Sequence, residues 1–105
     1  MTGLLQILLE MDGFAVRVVP HADQVLTEAL NFRPDVVLMD VHLADADGLE
    51  ILRALRQNEE LTGLPVIMTS GMDLEEQCKA AGADHFLLKP YPPDTLTSML
   101  QRVLA

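Results

Sequence analysis

The chain is short of cysteine, of positive charge and of long apolar runs, and each shortage excludes something. There is one cysteine, Cys78, in 105 residues. A single thiol can form neither an internal disulfide nor a cysteine-based metal cage, so a reducing, cytoplasmic setting is expected. Lys and Arg number 7 against 16 Asp and Glu, a formal charge of −9. Such a surface repels phosphates over most of its area, which argues against nucleic acid or an anionic membrane as a direct partner. No apolar run approaches the roughly 20 residues that a membrane span needs. The first residues, Met1-Thr2-Gly3-Leu4-Leu5-Gln6-Ile7, carry no positively charged side chain and soon meet Glu10 and Asp12, which makes a poor signal peptide. What is present is core material, with 50% of the residues hydrophobic. At this length the expectation is one globular domain over residues 1–105, without room for a second, output-bearing unit.

The hydrophobic period alternates along the chain. Leu4 to Met11 is apolar on most sides and reads as a buried helix stopped by Asp12-Gly13. Phe14 to Val19 is short and β-branched, a strand ended by Pro20. Ala22, Val25, Leu26, Ala29 and Leu30 follow helical spacing, and that helix ends before Pro34. A strand over Asp35–Met39 precedes a helix from about Gly48, with Ile51, Leu52 and Leu55 on one face. Pro65 to Met68 is another continuous apolar strand. Asp73 and Glu76 have the spacing of a capping box for a helix through Ala80, and Gly82 is a natural stop. Phe86-Leu87-Leu88 is a further strand. Leu96, Met99, Leu100, Val103 and Leu104 form the stripe of a last helix. Helices and strands therefore alternate, and strands without in/out alternation are buried on both faces. The fold class that follows is α/β, a doubly wound parallel sheet covered by helices, with about four strands and five helices.

Open sheets of this kind carry their chemistry at the carboxyl ends of the strands. Asp40 stands at one such end, Thr69-Ser70-Gly71 at the next, and Lys89-Pro90 at the last. A carboxylate can act as nucleophile, a hydroxyl can bind a phosphoryl oxygen, and an ammonium can neutralise its charge. Gly71, without a side chain, would allow a close backbone approach to an anion. His21, His42 and His85 do not cluster in sequence, and no metal site is expected of them. Met68, Met72 and Met99 read as packing residues, and Cys78 as a small core or boundary residue.

Four blocks in order then resemble the receiver domain of two-component response regulators, a family that the flavodoxin-like sheet order describes. They are Arg33 to Asp40, Asp47-Gly48-Leu49-Glu50, Leu64 to Gly71, and Ala80 to Tyr91. The resemblance implies that Asp40 accepts a phosphoryl group from a histidine kinase or a histidine phosphotransfer protein. It makes Ser70 the hydroxyl that moves toward that group and Lys89 its ammonium partner, with the Lys89–Pro90 bond usually cis. Phe86 matches the aromatic switch position, and the backbone carbonyl of His42, with Asp40, would bind Mg²⁺. The implied protein is a cytoplasmic phosphoacceptor that assists its own phosphotransfer, not a turnover enzyme. It signals by contact with a partner protein, and a homodimer is a candidate assembly.

The chain also departs from the family pattern. Ala44 stands where proline is usual, and Phe86 where tyrosine is commoner. Receivers begin with a strand ending in two acids that bind Mg²⁺, whereas Met1 falls inside what would be the first helix. The expected domain is thus truncated at its N-terminus, its central strand and acidic pair missing, and its metal site short of carboxylates. Two other functions stay open on sequence alone. One is a degenerate receiver that binds partners without phosphorylation. The other, more remote, is a small α/β phosphatase with an aspartyl nucleophile, against which His42 occupies the place of a second acid.

Overall fold

Apolar runs bounded by turn residues fold here into three parallel strands between helical layers. The chain is described from a computed structural model, which defines residue 13, residues 22–43 and residues 46–104. The expected elements over Leu4–Met11 and Phe14–Val19 lie outside these residues. So do the matter of a preceding strand, Glu10, Asp12, His21 and Ala44.

A 3₁₀ turn, Ala22–Gln24, leads into α1, Val25–Phe32. The helix ends at Arg33, whose left-handed backbone (φ 55°) lets its N–H reach the Ala29 carbonyl at 3.1 Å, just before Pro34. Then follow β1, Val37–Asp40; α2, Gly48–Gln57; β2, Val66–Ser70; α3, Glu75–Ala80; β3, His85–Leu88; and α4, Pro93–Leu104. The three strands run parallel in the order β1-β2-β3. Every residue of the middle strand β2 is buried, the apolar Val66-Ile67-Met68 and the polar Thr69 and Ser70 alike.

Alternation along the strands sends successive side chains into two separate cores. Met39, Val66 and Met68 face Ala29 of α1, Leu52 and Leu55 of α2, and Cys78 of α3. Ile67 and Leu87 face Leu96 and Leu100 of α4, with Val36, Leu38, Tyr91 and Met99 packed around them. Leu52, Leu55 and Leu96 are wholly buried, each contributing about 1.5–3 kcal/mol relative to an exposed side chain. Cys78 is a core residue, and burial pushes its thiol pKa up.

The structure corrects three local expectations. β1 and β2 each run beyond the expected ends, so Asp40, Thr69 and Ser70 are strand residues. Asp73 and Glu76 form no capping box. α3 starts at Glu75 after Leu74, and the Asp73 carboxylate accepts from the Glu75 N–H two residues on, at 3.4 Å. That local turn takes the side chain away from the third helical N–H. Met72 is no packing residue, because it sits in the β2–α3 loop at 60% exposure. Gly82 does end α3, with φ at 113°.

The amino edge of the sheet is held by one guanidinium. Arg56 on α2 donates to the carbonyls of Leu64 (2.6 Å), Thr62 (3.2 Å), Leu61 (3.4 Å) and Gly82 (2.8 Å). Its Nη2 also meets Asp84 at 2.8 Å, and the same carboxylate oxygen accepts from the Val66 N–H at 2.9 Å. A Cβ on Gly82 would come within 2.8 Å of the Arg56 side chain, so the loop closes onto the arginine only as glycine. Replacing Arg56 by Met removes the donor from the part-buried carbonyls of Gly82 and Leu64 and the charge partner of Asp84. The expected loss is about 2–4 kcal/mol of unfolding free energy in a urea titration, whereas Arg53→Met, on the exposed face of α2, stays within ~0.5 kcal/mol of the parent.

Candidate functional site

Parallel pairing places the chemistry-bearing residues at one edge. Asp40 is the last residue of β1 and lies in register with Thr69 of β2, while Ser70 pairs with Leu88 of β3, one residue before Lys89. The backbone continues the ladder past the strands, with Val41 N–H donating to Thr69 O (2.9 Å) and Lys89 N–H to Ser70 O (2.8 Å). Asp40, Ser70 and Lys89 therefore end three adjacent strands on the same side.

The Lys89 ammonium lies 2.6 Å from Asp40 Oδ1. Oδ1 is buried and its only charged contact is this ion contact, which is not a directed hydrogen bond. The Asp40 side chain as a whole is 39% exposed, so the open part of the carboxylate is Oδ2. One oxygen is turned inward against a cation and the other faces solvent, which is the geometry of an accessible nucleophile. Both side chains are well solvated (Lys89 is 46% exposed), so the pair adds at most ~1 kcal/mol to stability.

Tyr91 sits beside this pair. Burial raises its phenol pKa; the Lys89 charge pulls it down and the Asp40 charge pushes it up. The Lys89–Pro90 bond is cis, as the resemblance implies. Ser70 is buried and its Oγ accepts from the Met72 N–H at 3.1 Å, which ties the hydroxyl to the start of the β2–α3 loop. Phe86 pairs in register with Met68 and packs, partly buried, on the core beneath α2 and α3. Gly71 is exposed, and a Cβ there would meet nothing within 4 Å, so space and not crowding surrounds it.

The described ends of the β1–α2 loop are drawn together by backbone contacts. His42 bridges to Asp47, Leu43 N–H reaches Ala46 O at 3.1 Å, and Gly48 N–H reaches Val41 O at 2.7 Å. Asp47 then caps α2, its carboxylate accepting from Leu49 N–H at 2.9 Å. A Cβ on Gly48 would collide with the Asp40 carbonyl oxygen and lie 3.0 Å from Val41. Gly48 is thus a site residue that the sequence shows only as part of a motif. The clash is with backbone, which cannot turn aside as a side chain can.

Mg²⁺ is a hard cation that takes near-octahedral oxygen ligands. Among the described residues no three His, Cys, Asp or Glu side chains gather into a metal site. Asp40 and the His42 carbonyl are two donors on one short segment, and one Asp40 oxygen already carries an ammonium. These described donors do not by themselves fit Mg²⁺.

A family model described as the response regulator receiver domain matches residues 1–101. The chain belongs to the response regulator receiver domain family. It is 32% identical over 101 residues to the DNA-binding response regulator MtrA of Mycolicibacterium paratuberculosis, covering 93% of this chain and 44% of that protein. The chain thus spans less than half of that relative's length. Among solved structures it is similar to a signal receiver domain from Bermanella marisrubri, at a TM-score of 0.89 and 25% identity, covering 98% of this chain and 88% of that one. It is also similar to the receiver domain of the sensor histidine kinase PA1611 of Pseudomonas aeruginosa, whose structure has a magnesium ion coordinated in its active site cleft. That match has a TM-score of 0.86 and 27% identity, covering 98% of this chain and 87% of that one. Receivers with the flavodoxin-like sheet are signalling proteins, and no helix among the described residues is long and apolar enough to cross a membrane.

The close approach at Gly48 has a measurable consequence. Gly48→Ala pushes the loop off the Asp40 carbonyl and costs about 1–3 kcal/mol in a denaturant melt. It also shifts the backbone amide resonances of Val41 and Asp40 in a ¹H–¹⁵N spectrum, while Gly63→Ala, in open space, leaves those resonances in place.

Proposed function

We propose that this receiver accepts a phosphoryl group on Asp40 from a histidine kinase or a histidine phosphotransfer protein, and passes the signal on by protein contact. The observation that supports this most is the division of the Asp40 carboxylate, with Oδ1 buried against Lys89 and Oδ2 open to solvent. Oδ2 attacks the phosphorus of a phosphohistidine; the P–N bond breaks and its electron pair returns to the imidazole. Lys89, already within reach of the carboxylate, offsets the charge brought by the phosphoryl oxygens. Ser70 would exchange its hydrogen bond from Met72 N–H for one to a phosphoryl oxygen, which moves the β2–α3 loop. Phe86, on the same face of the sheet as that hydroxyl, would report the movement to the surface formed by β3 and its flanking helices. Gly71 leaves the backbone beside the phosphoryl group unobstructed.

The shortage of described metal donors supports a second reading, in which the domain binds partners without phosphorylation. Mg²⁺ dependence belongs to the test for that reason, and no step above is drawn through the metal. A cytoplasmic location and a homodimer belong to the same proposal. So does the absence of direct nucleic-acid contact by these residues, which the charge of −9 supports.

Intact mass measured after incubation with a small phosphodonor, with and without Mg²⁺, separates the readings. The expected result is a gain of one phosphoryl unit that Asp40→Asn abolishes and Lys89→Ala reduces by about tenfold or more. No gain, under conditions that label an intact receiver, would overturn the phosphoacceptor reading in favour of the phosphorylation-independent one.

A further inference from the structure

Thr69 is the one buried hydroxyl among the described residues whose oxygen has no hydrogen-bond partner. It is 3% exposed. A buried hydroxyl without a partner is costly, and a valine of the same shape would avoid the cost. The register shows where its partner lies. Leu38 pairs with Ile67, and both face α4; Met39 pairs with Met68, and both face α2 and α3. The next pair, Asp40 and Thr69, therefore returns to the α4 face, with the two side chains side by side across the ladder. Tyr91 packs on that same face and feels the charges of both Asp40 and Lys89. On its other flank Thr69 pairs with Leu87, which offers no side-chain acceptor. Asp40 Oδ1 is the other buried oxygen on this part of the sheet without a directed hydrogen bond, its contact being the Lys89 ammonium at 2.6 Å.

We propose that Thr69 is a positioning residue for Asp40: its hydroxyl donates to the buried Oδ1, which locks the carboxylate so that Oδ2 is the oxygen presented to an incoming group. Lys89 supplies charge to Oδ1 but no directed hydrogen bond. Thr69 supplies the direction. Its use in phosphotransfer rests on the reading of Asp40 as the phosphoacceptor; the hydrogen bond itself does not.

Two measurements on Thr69→Val and Thr69→Ser keep these apart. The first is the ¹³Cγ resonance of Asp40 in the unphosphorylated protein at a fixed neutral pH. The expected result is a shift in Thr69→Val that Thr69→Ser largely restores, with the valine variant less stable than the parent because the buried Oδ1 loses its donor. An unmoved resonance, or an equal displacement in both variants, overturns the hydrogen bond. The second is the initial rate of labelling by a small phosphodonor. Where the parent is labelled, Thr69→Val slows labelling about two- to tenfold and Thr69→Ser does not, and an unchanged rate in Thr69→Val overturns the positioning role. A parent that takes no label overturns the phosphoacceptor reading, and the hydrogen bond then stands or falls on the resonance alone.

Discussion

The register of β1 on β2 and of β2 on β3 is the constraint on which the site depends, because a slip of one residue would turn every side chain to the other face. That register is fixed from both sides of the sheet at once. Met39 and Met68 must enter the core under α1, α2 and α3, and Leu38, Ile67 and Leu87 the core under α4. With both faces buried, no shifted pairing satisfies either core. Asp40, Thr69, Ser70 and Lys89 are carried to one edge as a consequence of packing several residues earlier, and none needs a favourable interaction of its own to arrive there.

What happens at that edge is a matter of unequal oxygens and limited space. The carboxylate of Asp40 has an inner and an outer oxygen in different surroundings, and the lysine touches the inner one. The loop after β1 closes so tightly on the strand end that only glycine fits at position 48. The same closure presents Asp47 as the cap of α2. One short segment thus shapes the floor of the site and starts a helix whose Leu52 and Leu55 fill the core.

Much of this was legible in the sequence, for identifiable reasons. Continuous apolar runs marked the strands, the stripe from Leu96 to Leu104 marked the last helix, and the strand-end rule brought Asp40, Ser70 and Lys89 together before any coordinates. Local signals failed where a tertiary contact decided the outcome. The hydroxyls of Thr69 and Ser70 suggest a turn, yet the ladder to β1 and β3 keeps both in β2. Asp73 and Glu76 have capping-box spacing, but the aspartate bonds within its own turn. Met72 looks like core and stands exposed in the β2–α3 loop, with no element among the described residues covering it. The crowding at Gly48 and the isolation of the Thr69 hydroxyl have no sequence signature, because the first depends on how the loop after β1 closes and the second on what lies across the sheet.

The Arg56 clamp bears on how such a sheet can move. Its guanidinium fixes the loop into β2 and, through Gly82 and Asp84, the turn into β3, all at the amino edge. The carboxyl edge keeps its backbone ladder, with Val41 N–H on Thr69 O and Lys89 N–H on Ser70 O, but its side chains are bridged by a solvated ion pair and not by such a clamp. A disturbance beginning at the Asp40 carboxylate is therefore a fraying that opens away from a hinge. Leu88 and Met72, two apolar side chains, already stand exposed at the end that such a fraying would open.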